Sequence, residues 1–285
     1  MVDLKDFGDY ETAWCPGCGN FSILKAVKLA LVKLGISPRE VLFVSGIGQA
    51  AKLPHYLNAN VFNGLHGRSL AVSTGAKLAN HRLTVIAESG DGCNYGEGGN
   101  HFLAAIRRNI DITLLVHDNR VYGLTKGQAS PTSPSGFVTK AQPGGNPSIP
   151  FNPISVATVM KAGFVARGFA GDTEYLVSLI CQAITHRGFS LVDILQPCVS
   201  FNKINTFAWY QERCYRLDDS YDPTNQQAAL ELALMGEERI PTGVIYKNNR
   251  PSFEENITLP LGEEPLVARP MDLKKFQGVM SEYNY

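Results

Sequence analysis

Apolar residues at Phe21, Leu24, Val27 and Leu31 fall at helical spacing, and Gly35 closes that pattern. EVLFVSG (40–46) is a short apolar run ending in glycine, the pattern of a buried parallel strand. The pattern then predicts a helix over 69–79 and a strand at RLTVIAES (82–89), which runs straight into GDG. A helix over 97–108 and a strand at DITLLVHDN (111–119) follow. The stretch 123–152 is rich in Gly, Pro and Ser, has little periodicity, and is expected to be an active-site or interface loop. A helix near 153–161, a strand at 163–169, a helix at 172–187 and a strand at 189–195 complete the series. This alternation predicts an α/β fold with a parallel sheet covered by helices on both faces. Beyond about residue 200 the pattern breaks. Residues 1–200 are expected to form the α/β domain, and 201–285 an irregular C-terminal extension that packs on it or reaches a partner subunit.

Composition changes this picture little. The chain has 285 residues, is 44% hydrophobic and 18% charged, and has zero formal net charge. Such a balance gives no reason to expect nucleic acid or a membrane surface as partner. No apolar run approaches the ~20 residues of a spanning helix. The first residues, MVDLKDFGDYETAW, carry acids where a signal peptide would carry bases and then an apolar stretch, so a cytoplasmic protein is expected. Six cysteines are present, at 15, 18, 93, 181, 198 and 214. In a reducing compartment they would not form a disulfide framework. Cys181, inside a helical pattern, fits a small buried hydrophobe.

Ligands of parallel α/β sheets sit outside the carboxyl ends of the strands. The loops SGIGQ, SGDGC, HDNRVYG and QPCVS all begin there. In SGDGCNYGEGGNH, Gly90-Asp91-Gly92 turns from a strand toward a helix rich in glycine. Glycines let backbone amides approach a phosphate, and a helix N-terminus favours its charge. A plain strand-to-helix turn has the same look. Asn119, at the end of the next strand, adds weight: with Asp91 it can aim oxygens at one hard cation that keeps a diphosphate in its shell. The turn after Asn119 offers a carbonyl as well, that of Val121.

GDG followed after 25 residues by the DN pair resembles the motif that holds magnesium and thiamine diphosphate in thiamine-dependent enzymes. WCPGCGN, SGIG, LHGR, GGNH, RRN, VYGLTKGQASPTS and QPC occur in the order found in the β subunits of 2-oxoacid:ferredoxin oxidoreductases, and the likeness runs from about residue 10 to about 215. The resemblance implies the pyrophosphate-binding module of the thiamine fold, with an α subunit supplying the pyrimidine module. It implies Asp91, Asn119 and the Val121 carbonyl as magnesium ligands, and Gly90, Gly92, His66, Ile47 and Gly48 as cofactor contacts. A loop histidine with no ligand is the plain alternative for His66. The Glu that drives ylide formation in this family comes from the partner, so no general base is expected in this chain, which alone should be inactive. CoA-dependent oxidative decarboxylation of a 2-oxoacid, with electrons passed through an iron–sulfur cluster to ferredoxin, is the activity implied. An (αβ) or (αβ)2 assembly goes with it.

The cysteines follow from the same likeness. Cys15 and Cys18 match two cluster ligands, and Cys198 in QPC matches a third. Thiolates ligate iron–sulfur clusters, and a cubane usually takes four. Zinc is the alternative for CPGC, but no second Cys-x-x-Cys or His pair completes such a site. The sequence departs from the family at Gln49, where a cysteine commonly follows SGIG; an amide is a poor ligand for a soft metal. Cys93 directly follows GDG and is expected beside the diphosphate, while Cys214 is a spare thiol able to fold back. A [4Fe–4S] cluster, or a three-cysteine site with a labile iron, is therefore expected.

Lys52 in QAAK and Lys126 in GLTKGQ are candidates to counter a substrate carboxylate or a phosphate, with solvated loop lysines as the alternative. The KGQ-type loop resembles members that accept 2-oxoglutarate or a range of 2-oxoacids. Pyruvate is the nearest other substrate. A non-redox thiamine decarboxylase or synthase, and a non-catalytic electron-transfer subunit, are the competing functions.

Overall fold

The computed structural model describes residues 1–257, 264–270 and 272–283. Helix α1 (Asn20–Leu34) leads to β1 (Val41–Ser45) and the edge strand β2 (Asn60–Asn63); α2 (Ser69–Ala79) precedes β3 (Thr84–Gly90). A π-helical turn (Gly92–Glu97) feeds α3 (Gly99–Arg108), and β4 (Thr113–Asp118) follows. After the long loop come α4 (Pro153–Val159), β5 (Phe164–Phe169), α5 (Thr173–Thr185) and β6 (Ser190–Leu195). The rest of the chain adds α6 (Phe207–Arg213), β7 (Cys214–Arg216), α7 (Gln226–Ala233), β8 (Ile240–Lys247), α8 (Phe253–Asn256) and α9 (Leu273–Glu282).

The strands form one sheet in the order β2-β1-β3-β4-β6-β5-β8-β7. Strands β1 to β6 are parallel, as the alternation predicts. Along β4, Leu115 faces one side while Leu114 and Val116 face the other, so both faces need cover. One face packs on α1 through Ile23, Leu24, Val27 and Leu31 and on α5 through Leu176, Leu179 and Ile180. The other packs on α2, α3, α4 and α7 through Leu70, Phe102, Ile106, Ile154 and Ala229. Burying each of the large side chains stabilises the domain by about 1.5–3 kcal/mol. Gly35 caps α1 in the left-handed conformation (φ 69°), donating its N–H to Leu31 and Val32.

Three strands, β2, β7 and β8, depart from the sequence expectation. Strand β2 is exposed at all four residues, so no alternating burial marks it. Instead, Asn63 Nδ2 donates to Ser45 Oγ (2.7 Å) and Gly46 O (3.1 Å), and Asn60 Nδ2 to Val41 O (3.1 Å), stapling this edge to β1. The segment beyond 200 is more regular than its sequence suggests. Strand β8 enters the sheet antiparallel to β5, with a bulge opposite Val165/Ala166, and β7 pairs parallel to β8. IPTGVIYK carries Pro241 and, at φ 139°, Gly243, which mask the strand pattern and are tolerated beside a bulge and a three-residue edge strand. Parts of the predicted extension, 258–263, 271 and 284–285, lie outside the described residues.

Candidate active site

Three neighbouring strands, β1, β3 and β4, end side by side, and their loops carry the predicted chemistry. The register pairs Gly90 with His117, so Asp91 and the Asp118–Asn119 turn leave the sheet together. The eight residues predicted to meet the cofactor, Ile47, Gly48, His66, Gly90, Asp91, Gly92, Asn119 and Val121, line one cavity of about 110 Å³. Gln49, Cys93 and Tyr122 line it too. Gly48 stands at φ 133° with open space where a Cβ would be. At Gly92 a Cβ would lie 2.2 Å from the Tyr122 ring, so packing demands glycine there.

Asp91 is 1% exposed. Burial, then the nearby Asp118 carboxylate, pushes its carboxyl up to about 7, and hydrogen bonds from Ser130, Thr132 and the Gly92 amide only partly offset this. Thr132 Oγ1 stands 2.7 Å from both Asp91 Oδ2 and Asp118 Oδ1. Arg120 offsets the charge of Asp118, and its N–H donates to Asp118 Oδ1 at 3.2 Å. Asn119 Oδ1 accepts from Val121 N at 3.0 Å, which leaves one lone pair of that amide oxygen free. Arg120, at φ 59°, provides the left-handed step that shapes this turn.

His66 sits at the mouth. Its Nε2 is 3.0 Å from Glu97 Oε2, its buried Nδ1 has no hydrogen-bond partner, and its ring meets the Tyr122 ring edge-on. Tyr122 Oη lies 3.3 Å from the Glu97 carboxylate, and burial together with Glu97 and Asp91 pushes its phenol upward. Glu97 and Tyr122 were not singled out from the sequence, although GEGGNH and VYG contain them. Lys52 is half-buried on a 3-10 turn (Ala50–Tyr56), and Lys126 is exposed at φ 77°; neither lines the cavity. Cys93 is buried beside the cavity, accepts from Gly67 N at 3.2 Å and stands against Gly46, joining the three loops.

Cys15, Cys18 and Cys198 lie on two loops, one before α1 and one after β6. Gly19 N donates to Pro197 O at 3.4 Å and joins these loops. Each of the three sulfurs has a donor: Ser200 Oγ for Cys15 (2.9 Å), Gln196 Nε2 for Cys18 (3.3 Å) and Phe201 N for Cys198 (3.4 Å). Burial, and then neighbouring Cys198 and Cys15, push the Cys18 thiol up to about 11. Among the described residues no three His, Cys, Asp or Glu side chains form a ready metal site. Trp14 Nε1 donates to the Gln49 carbonyl at 2.8 Å, so Gln49 stands between this loop and the cavity; its Oε1 is buried without a partner. Cys214 lies elsewhere, packed against a small cluster of Phe169, Leu195, Tyr210 and Ile240. Beneath the cysteine loop, Asn20 Oδ1 accepts from His117 Nδ1 at 2.8 Å, and His117 Nε2 lies 3.1 Å from Glu88 Oε1, all three side chains being buried. Burial pushes the Glu88 carboxyl well up and His117 down to about 3.

This fold and cavity define a thiamine-diphosphate-binding domain. Residues 44–194 match the model of the thiamine pyrophosphate enzyme C-terminal TPP-binding domain, and 198–259 match that of the C-terminal part of the pyruvate ferredoxin oxidoreductase β subunit. The chain is 46% identical over 258 residues to the 2-oxoacid:ferredoxin oxidoreductase β subunit of a Sulfolobus species, covering 86% of this chain and 85% of that one. It is 46% identical over 199 residues to the 2-oxoglutarate oxidoreductase subunit KorB of Mycobacterium tuberculosis, covering 70% and 53% respectively. A solved structure of 2-oxoglutarate:ferredoxin oxidoreductase from Magnetococcus marinus superposes with a TM-score of 0.90 at 35% identity, covering 98% of this chain and 96% of that one. The chain belongs to the β subunits of the 2-oxoacid:ferredoxin oxidoreductases. It is thus an oxidoreductase subunit, and a β subunit implies an α-subunit partner. Among the described residues no helix is long and apolar enough to cross a membrane.

Proposed function

We propose that this chain, with an α subunit, carries out CoA-dependent oxidative decarboxylation of a 2-oxoacid in the cytoplasm, 2-oxoglutarate being favoured over pyruvate. The products are an acyl-CoA and carbon dioxide, and the electron pair leaves one electron at a time through an iron–sulfur cluster to ferredoxin. The observation that carries this reading is the buried Asp91 carboxylate, which has no cationic partner among the described residues and faces the cavity with Asn119 beside it. A divalent cation there would balance its charge, so the residues fit magnesium, with Asp91, Asn119 and the Val121 carbonyl as its protein ligands. Gly48, Gly90 and Gly92 would receive the diphosphate. When bound, thiamine diphosphate supplies a sink for the electrons left as carbon dioxide departs. The protein's part is to hold the diphosphate end, while His66, Glu97 and Tyr122 form one polar wall of the mouth.

The three thiols fit a cluster in composition and hydrogen bonding, because N–H and O–H groups aimed at sulfur tune cluster potential. Cys15, Cys18 and Cys198 would hold it, with a labile iron at the corner near Gln49. The 2-oxoglutarate preference is supported by relatives named for that substrate. Lys52 and Lys126 remain candidates to meet its carboxylates from outside the cavity wall.

The test is anaerobic assay of the co-purified αβ or (αβ)2 complex for CoA- and 2-oxoacid-dependent reduction of ferredoxin. Turnover is expected only with both subunits, with a higher kcat/KM for 2-oxoglutarate than for pyruvate. Full turnover by this chain alone, or decarboxylation that never reduces an acceptor, would overturn the proposal; the latter outcome would indicate a non-redox thiamine enzyme.

A further inference from the structure

The loop 123–152 does more than border the cavity. Thr132, 5% exposed, stands with its Oγ1 2.7 Å from Asp91 Oδ2, at the end of β3, and 2.7 Å from Asp118 Oδ1, at the end of β4. Both carboxyl groups are buried, and the Thr132 hydroxyl, with one proton to donate and two lone pairs to accept, bridges them and ties the two strand ends together. Asp118 Oδ1 also accepts from Arg120 N, so the oxygen that meets Thr132 is the one that shapes the Asn119–Val121 turn. The next residue reinforces the contact: Ser133 Oγ, fully buried, donates to Arg120 O at 2.6 Å. Ser133 Oγ in turn accepts from Ser130 N at 2.8 Å. Farther along the loop, Asn146 Nδ2 donates to Ser133 O at 3.1 Å, and Phe151 N to Pro131 O at 2.8 Å. The short Ser130–Ser133 stretch is therefore held from both sides and presents its hydroxyls to the two strand ends.

We infer that Thr132 is a positioning residue for the cation–diphosphate site: its hydroxyl sets the spacing between Asp91 and the Asn119 turn, so that both oxygens meet one magnesium ion. This rests on the reading of Asp91 and Asn119 as cation ligands. Thr132 does not line the cavity; it acts through the two strand ends. Groups that orient metal ligands commonly change affinity by about 10- to 100-fold when removed.

The experiment is calorimetric titration of thiamine diphosphate into the αβ complex at a series of Mg2+ concentrations, for the wild type, Thr132→Val and Thr132→Ser. Thr132→Val keeps the shape and deletes the hydroxyl, so it should raise the Mg2+ concentration needed for half-maximal binding by about 10- to 100-fold. Thr132→Ser, which keeps the hydroxyl, should restore near-wild-type Mg2+ dependence. Thr132→Val with wild-type dependence overturns the inference, and so does Thr132→Ser behaving like Thr132→Val, since the methyl group would then be what matters. Should Thr132→Val fail to assemble, Thr132→Ala and Thr132→Ser are compared by the rise in Tm that Mg2+ and thiamine diphosphate together produce. The inference requires that rise to be small in Ala and normal in Ser; equal rises overturn it. A wild-type complex that binds no thiamine diphosphate would instead refute the functional reading beneath it.

Discussion

The diphosphate end of the cavity and the cysteine loops are both built at the carboxyl edge of the sheet, yet they are held differently. Asp91 and the Asn119 turn follow neighbouring strands whose register is fixed by backbone pairing, and Asp91 is buried. Cys15 is exposed, and Cys18 and Cys198 are half-buried, on loops joined across the chain by a few hydrogen bonds. A site on rigid strand ends is preorganised by the sheet, whereas a site made of loops is completed by what it binds. The comparison predicts two separable centres: damage to one should spare the other.

The largest effect is expected at Asp91. Asp91→Ala removes the carboxylate that would pair with the cation, and losing one partner of a buried charge pair costs about 3 kcal/mol or more, over a hundredfold in affinity. Calorimetry should show thiamine diphosphate binding collapse while iron content stays at the wild-type level. Joint loss of iron would break the claim of separability. Next in size is Cys198→Ser, which should strip most of the iron and leave thiamine diphosphate affinity unchanged, with Cys214→Ser as a silent control because Cys214 packs in a different cluster. Equal iron loss in the two variants would mean that Cys214 is a ligand.

Gln49→Cys should act more gently, slowing iron loss in air, since a thiolate would replace the side-chain amide of a cavity-lining residue whose main-chain carbonyl meets Trp14. Iron loss at an unchanged rate would show that this position does not reach the cluster. Lys126→Met is expected to be the smallest change. An exposed charge is worth up to about 1 kcal/mol, so KM for 2-oxoglutarate should rise by about fivefold at most while KM for pyruvate holds. A parallel rise for both substrates would remove Lys126 from substrate choice.

The same contrast explains what was legible in the sequence. Strands β1 and β3 to β6 announce themselves because both faces are buried, and Asp91 and Asn119 because their spacing follows from strand, helix and strand. Thr132 carries no such signal. It lies in an aperiodic stretch 41 residues from Asp91, and nothing local says that the loop folds back onto the strand ends. The link between Asn20 and His117, 97 residues apart, is hidden for the same reason. Strand β2 was missed because asparagine side chains, rather than a buried face, hold it in place, and β8 because Pro241 and Gly243 interrupt it. The resemblance marked Cys15, Cys18 and Cys198 as a group and left Cys214 a spare thiol able to fold back; the structure packs Cys214 in a different cluster.

The most direct test of two unlike centres in one chain is anaerobic iron and sulfide analysis with electron paramagnetic resonance on the purified wild-type αβ complex, before and after exposure to air and after iron is returned. The account predicts a cluster that passes from [4Fe–4S] to [3Fe–4S] in air and is rebuilt by ferrous iron, with thiamine diphosphate still bound throughout. A complex without iron, or a four-iron cluster indifferent to air, would contradict it.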